Sequence, residues 1–576
     1  MKKLFSSCLF VLISMTPLHG SVYTIFLPKP QGYYQNNFLR PLHKHQSDRT
    51  GQQGIFSSIV SYRNSMKSES IAQALFGSPT LNFTGSEVIG RDPCHDLLAD
   101  YFGLAPDFQG NLNLKPKLQT VTFDFSYHLD LSNWCESLFL EIAAPLVHTR
   151  WNLNACPTSV QRGMFTFPRG YMSANPQPSQ NPPPALTPAD NTAPTLQEAL
   201  DGNFSYGDMR TPWRSGIFVF DDQDLTRVAD VSFALGADFF HSDYSIVQAG
   251  LLTIAPAGNK YNPTTNFNPV IGNADRWEFG FILRGSYDYT WHENHTFRFL
   301  GMGTFTHPFD IIQRRMFDLK RRGPLSRYML LKQETLANDV YSYAGQLIHA
   351  INFSTRHAQI GCQAQGDFTL QVSYEISRYC IDFGYNFYGR TAETAHLLRR
   401  SPPCEVQGNV YAFKGTEGVD YRQYAVNPVT NIVTNEIEPP QALNSAQSAT
   451  IFSGGPVCFP QNITAPTSTI LLTWNSNNNN SNIINQNATT ITTSPTYQAP
   501  QASNPPCLLS DQDLHLCSGI APSTEVHTLF MRIGYCGRTC GTDTCASLGV
   551  TSEFGRYGIY DALFQWGAWA QITVQF

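Results

Sequence analysis

The sequence predicts an all-β, antiparallel fold, and three observations carry that expectation. Apolar and polar residues alternate one by one along many segments of the 576-residue chain, which is the period of a strand with one apolar face. Aromatic residues make up 13% of the chain and charged residues only 14%, against about 25% charged in an ordinary soluble protein. Beyond the N-terminus no stretch holds the roughly 20 unbroken apolar residues of a membrane helix. The net charge of −6 gives no support to a nucleic-acid partner.

In chain order, residues 1–20 read as a secretory signal peptide. Lys2 and Lys3 precede an apolar run from Leu4 to Met15, and cleavage is expected between Gly20 and Ser21. Its removal takes Cys8 away and leaves an even number of cysteines, which in an exported chain favours disulfides. Residues 21–117 read as an N-terminal segment with room for first strands and a short amphipathic helix over Cys94–Leu104. A second helix is expected within Met316–Ala337.

Ten alternating segments then span 118–576. The clearest runs from Trp277 to Trp291, with Phe279, Phe281, Leu283, Tyr287 and Tyr289 on one face and Glu278, Arg284 and Asp288 on the other. The others are Thr120–His128, Leu138–Val147, Val231–Phe239, Tyr244–Ile254, Phe297–Phe305, Phe368–Ile376, Tyr379–Phe387, His527–Tyr535 and the C-terminal strand. They run about nine to fifteen residues, whereas a soluble strand averages ~5–6 and a tilted membrane strand needs ~9–11. Tight turns at His241–Asp243 and His292–Asn294 contrast with long loops at 150–226 and 390–526. Short turns on one rim and long loops on the other suit a transmembrane antiparallel β-barrel better than a soluble sandwich. The Pro- and Asn-rich tracts Ser173–Pro194 and Thr464–Pro506 read as loop tips.

Counting back from Phe576, alternate positions hold Val574, Ile572, Ala570, Ala568, Trp566 and Phe564. This ending resembles the terminal strand of bacterial outer-membrane β-barrel proteins. The resemblance implies an outer-membrane location with loops at the cell surface, contact with membrane lipid, and recognition by the barrel-assembly machinery through Trp566, Ala570, Ile572, Val574 and Phe576. It implies no cofactor, is compatible with a homo-oligomer, and identifies no subfamily. If Phe576 ends in the periplasm, Tyr379–Phe387 and His527–Tyr535 both ascend, so an odd number of spanning strands is expected between Thr391 and Val526. Asn409–Phe413 and Thr467–Trp474 are the candidates, and the total is expected to be even, about 12 to 16 strands.

Chemistry is sparse. No nucleophile elbow or phosphate loop occurs. His292, Glu293 and His295 miss the zinc-protease spacing by one residue, and His241, Ser242 and Asp243 are sequence neighbours that do not face one another. Neither catalysis nor a metal is expected. Cys536, Cys540 and Cys545 lack the C-x-x-C spacing of a thiolate site, and with Cys404, Cys458, Cys507 and Cys517 they read as loop disulfides. The face opposite the lipid carries the acids Asp124, Glu141, Asp230, Asp238, Glu278, Asp288, Asp367, Glu375 and Asp382, against Arg284, Arg298, Arg390 and Arg532. Pairing every Arg leaves an excess of carboxylates in a confined space, which favours cations. Because Arg284 faces inward, Arg284→Gln is expected to leave assembly intact.

The expected function is a porin-like channel for small polar solutes or cations. The alternatives are a surface structural or adhesive protein anchored by its barrel and, third, a barrel enzyme. One consequence is testable directly: deleting Phe576 should lower outer-membrane yield and leave unassembled protein in the periplasm, measured by fractionation.

Overall fold

The computed structural model describes residues 25–32, 54–164, 191–242, 244–398, 409–414, 449–454 and 507–576, with short interruptions at 87, 132–136, 293–294, 338–339 and 540–541, plus a few brief segments elsewhere. The signal segment, most of Ser173–Pro194 and nearly all of Thr464–Pro506 lie outside the described residues.

Twelve antiparallel strands close into a barrel. They are β1 (Gly54–Met66), β2 (Lys117–Asp130), β3 (Leu138–Asn152), β4 (Val231–His241), β5 (Ser245–Ala255), β6 (Glu278–His292), β7 (His295–Pro308), β8 (Gln365–Ile376), β9 (Tyr379–Arg390), β10 (Thr524–Thr539), β11 (Thr542–Tyr557) and β12 (Tyr560–Gln575). Chain neighbours pair around the ring, and β1 pairs with β12 to close it. All ten segments of the sequence reading are barrel strands. The two others are β1, inside the N-terminal segment, and β11.

Finding β11 corrects the strand count between Thr391 and Val526. The strand missing from the parity argument follows β10, so β9 ascends into the long loop and β10 descends from it. Asn409–Phe413 does not span the barrel; its strand Val410–Phe413 pairs with Leu330–Ala337 instead. The other candidate lies mostly outside the described residues. β11 escaped notice because its outward positions Ala546 and Ser552 are small or polar, which blurs the alternation that exposes the other strands.

The outward face is a continuous apolar belt. Leu235, Leu251, Phe281 and Phe305 stand opposite one another on β4 to β7, and the Phe281 and Phe305 rings stack at 5.5 Å. Leu146, Phe123, Val60 and Ala570 form a second such row across β3, β2, β1 and β12. Trp291, Tyr379 and Tyr535 are exposed near the short-turn rim, and Trp277 and Trp566 nearer the other. Apolar residues exposed in one band, with aromatic residues at both margins, define a lipid-facing surface. The fold is a closed antiparallel transmembrane β-barrel.

On the rim that carries Met66, Asn152 and Arg390, the described parts of the long connections form an ordered cap. After β1, Lys67 and Gly77 bracket a helix over Ser68–Phe76, with Gly77 in the left-handed conformation at φ 78 that glycine closes most readily. Phe102, Trp213, Phe218 and Tyr328 form one aromatic core, with the Trp213 and Tyr328 ring centroids 4.6 Å apart. The expected helix over Cys94–Leu104 shrinks to a 3-10 turn at Ala99–Phe102. The one expected over Met316–Ala337 is absent: strands Ile311–Met316 and Leu330–Ala337 flank a short turn, because Leu330 and Leu331 pair with a neighbouring strand and are wholly buried there.

One consequence concerns the inward face. Arg284 is buried and its Nη1 lies 2.6 Å from Glu141 Oε2, which His128 Nδ1 approaches at 3.7 Å, so Arg284→Gln would break a buried ion pair. The sequence expectation that this change is harmless is withdrawn: it should destabilise the barrel by about 3–5 kcal/mol. Phe281→Arg, pointing to lipid, should cost about 2–4 kcal/mol, while Phe281→Leu should be tolerated. Urea titrations of the refolded protein in lipid vesicles check all three.

Candidate functional site

The barrel interior is not an empty tube. Residues 25–32 lie inside its upper half, and all eight are buried. This strap runs from the cap side, where Phe26 sits among Trp151, Phe267 and Tyr557 at ring distances of 6.0, 5.9 and 5.7 Å. Its last described residue, Gly32, lies against Ala229, Val147 and Pro145. Gly32 has φ 117, and a side chain there would collide with Ala229.

Polar contacts hold the strap. Arg390 donates to the Leu27 carbonyl, Tyr557 donates to the Ile25 carbonyl, and Leu27 N–H donates to Tyr557 Oη at 3.3 Å. Further down, Lys29 Nζ lies 3.6 Å from Glu553 Oε2, which Arg63 Nη1 also reaches at 2.9 Å. Gln31 accepts from Thr120 Oγ1 at 3.2 Å and, through its carbonyl, from Gly272 N–H at 2.9 Å. A buried lysine is tolerable only when paired, so Glu553 is part of what seats the strap. Below it Ile59, Phe530 and Trp569 form an apolar cluster inside the barrel.

Above the strap lies a second cluster. Glu393, just past the end of β9, is 2.6 Å from Arg276 Nη2 and 3.3 Å from Arg315 Nη1, and accepts from Ala521 N–H at 2.9 Å. Burial by itself would raise the Glu393 carboxyl, but Arg315, Arg276 and Arg390 outweigh it and bring it down to about 2. Three buried guanidinium groups thus face one carboxylate, beside a small cavity lined by Phe26, Leu27, Lys29, Trp151, Asn273 and Arg390.

The charged residues read from the sequence are placed as follows. Asp124, Glu141, Glu278, Arg284, Arg298, Asp367, Asp382 and Arg390 are buried on the inner face, as is Asp230 at the start of β4, while Asp238, Asp288, Glu375 and Arg532 are partly buried. Arg298 bridges Asp288 at 2.7 Å and Glu375 at 2.6 Å, and Arg532 pairs with Asp382. Asp238 accepts from Gln248 at 2.8 Å, Asp367 from Asn386 at 2.9 Å, and Glu278 from Asn273 and Thr306, each at 2.7 Å. Arg390 serves the strap and Glu393 rather than a barrel carboxylate. Lys29, Arg63 and Glu553 were not found from the sequence. Arg63 and Glu553 lie on the two strands that were missed, and Lys29 lies in a short segment with no strand period.

The cysteines need a correction. Cys536 and Cys545 are bonded, but across the β10–β11 hairpin at the short-turn rim rather than in a long loop. Directly opposed positions on paired strands bring them together, a relation invisible without β11. Among the described residues Cys507 and Cys517 have no disulfide partner. Cys507 is half-buried near Arg322 and Cys517 is exposed. Cys404, Cys458 and Cys540 lie outside the described residues, as do Glu293 and Asp243. His292 and His295 meet only edge to face at the β6–β7 turn, and Ser242 binds Ser245 rather than His241.

No family model matches the chain, and no curated protein does. Among solved structures it is similar to an outer membrane channel of Pseudomonas putida F1, at 9% identity over 93% of this chain and 100% of that one, with TM-score 0.29. A FadL homologue of Pseudomonas aeruginosa aligns at 7% identity over 91% and 90%, with TM-score 0.26. The transport unit of the Escherichia coli autotransporter AIDA-I aligns at 6% identity over 93% and 94%, with TM-score 0.25. Scores this low carry no argument about function.

The rim cluster makes a pH prediction. Glu393 is depressed in the folded state, to about 2 from the ordinary 4.5. Its stabilising contribution is therefore complete above the unfolded value and lost as pH falls through the folded one. Between roughly pH 4.5 and 2 the loss should reach about 3 kcal/mol. Glu393→Gln should flatten that part of the stability profile, read by thermal denaturation at stepped pH.

Proposed function

We propose that this protein is an outer-membrane channel whose lumen is closed by its own N-terminal strap and which conducts when the strap leaves. The observation that carries the reading is the strap: eight buried residues lying in a polar-walled barrel, seated by side-chain contacts and one buried ion pair. Such contacts are reversible, and a buried Lys29 is finely balanced between its desolvation and its attraction to Glu553. The apolar belt supports placement in a bilayer, with the cap on the outer face and Phe576 presented to the assembly machinery.

The permeants are small polar solutes, with a preference for cations. On the inner face the carboxylates of Asp124, Glu141, Asp230, Asp238, Glu278, Asp288, Asp367, Glu375 and Asp382 outnumber the guanidinium groups of Arg284, Arg298, Arg390 and Arg532. An excess of carboxylates in a confined lumen raises the local concentration of cations. The ordered cap, with an aromatic core of its own, favours a second reading in which the barrel anchors a surface structure. Conductance separates the two.

In planar bilayers the full chain should be mostly closed with rare openings, and deletion of residues 25–32 should give long-lived conductance steps. Reversal potentials should show modest cation preference that fades as salt shortens screening to ~3 Å near 1 M. A strapless barrel that inserts yet stays silent would leave the anchor reading.

A further inference from the structure

We propose that the slot now filled by Phe26 and Leu27 is a binding site for an aromatic carboxylate, which the strap occupies as a competitor within the same chain. The consequence for opening rests on the channel reading above; the site itself rests on geometry.

The slot has two halves. The apolar half is the space among Trp151, Phe267 and Tyr557 that the Phe26 ring fills. Trp151 and Phe267 also touch each other at a ring distance of 4.8 Å, so these walls support one another without Phe26. The polar half is Arg390, whose guanidinium donates to the Leu27 carbonyl. That carbonyl meets one donor but neutralises no charge. Arg276, Arg315 and Arg390 are all buried around the single carboxylate of Glu393. Among the described residues, Arg390 Nε and both Nε and Nη1 of Arg276 have no hydrogen-bond partner. Buried guanidinium groups in excess, with nitrogens unmatched, are a standing demand for an anion. A carboxylate meets it in both charge and fork geometry, which a peptide carbonyl does not.

The strap also supplies a measure of the ligand. The chain atoms between the Phe26 ring and the Leu27 carbonyl carbon are matched in number by the methylenes of 6-phenylhexanoate. Such a molecule would place its ring in the aromatic slot and its carboxylate on Arg390. Trp151, Asn273, Lys29 and Arg390 line one small cavity beside Phe26 and Leu27. Ligand and strap cannot share this space, so binding and seating of the strap exclude one another.

The test is calorimetric titration of refolded full-length protein in detergent, with 6-phenylhexanoate and its neutral amide as probes. Assembly of each variant is checked by heat-modifiable gel mobility. The acid should bind at least about tenfold more tightly than the amide. Phe26→Ala should tighten acid binding about tenfold by weakening the competitor. Arg390→Gln should remove the preference for the acid; if that variant does not assemble, the acid–amide comparison in Phe26→Ala decides alone. Equal affinity for acid and amide, or no binding of either, overturns the site. Unchanged acid affinity in Phe26→Ala overturns the competition. Failure of the strapless barrel to conduct would instead remove the channel reading and leave these binding results standing.

Discussion

Closure of the sheet is the constraint on which the rest of the structure depends. In hydrocarbon no water is present to satisfy a free strand edge, so every backbone N–H and C=O of the wall must find a partner within the sheet. Here the last strand returns to the first: Gly54 and Phe576 exchange both backbone hydrogen bonds, at 2.9 and 3.0 Å. β1 and β12 then remain in register up to Met66 and Phe564. With the ring closed, alternation assigns every side chain to lipid or to lumen, and a charged residue has only the lumen in which to be paired.

That confinement explains the density of the interior network. Arg298, Arg532, Arg284 and Arg63 each find carboxylates on neighbouring or nearby strands. Small residues such as Gly549, which lies under the Trp569 ring, make room for the larger inward side chains. The strap enters the same network through Lys29 and so becomes part of the electrostatics of the wall. Removing it would change the charge of the lumen as well as its width.

The cap follows from the strap and the long connections together. Phe26 belongs at once to the strap and to the apolar core of the cap, so the two are mechanically linked. The buried Arg–Glu cluster at the mouth sits on the same joint, with Arg390 touching both Glu393's field and the strap backbone. A disturbance of either part is therefore felt by the other.

The strand period, the apolar belt and the inward charges were legible because they are local: alternation at positions such as Trp277–Trp291 states its own geometry, and burial in lipid allows few other meanings. Ten strands followed from that alone. β11 did not, since Ala546 and Ser552 on its outer face dilute the pattern, and with it went the Cys536–Cys545 pair and Glu553. The strap carried no period to read. Its place depends on Tyr557, Arg390, Glu553 and Thr120, contributed by strands far apart in sequence, and only the closed barrel brings them to one point. The sequence by itself determined which face of those ten strands meets lipid, because that is fixed by residues two apart. The tertiary structure decided what fills the lumen, because that is fixed by charges and rings that meet only after the ring has closed.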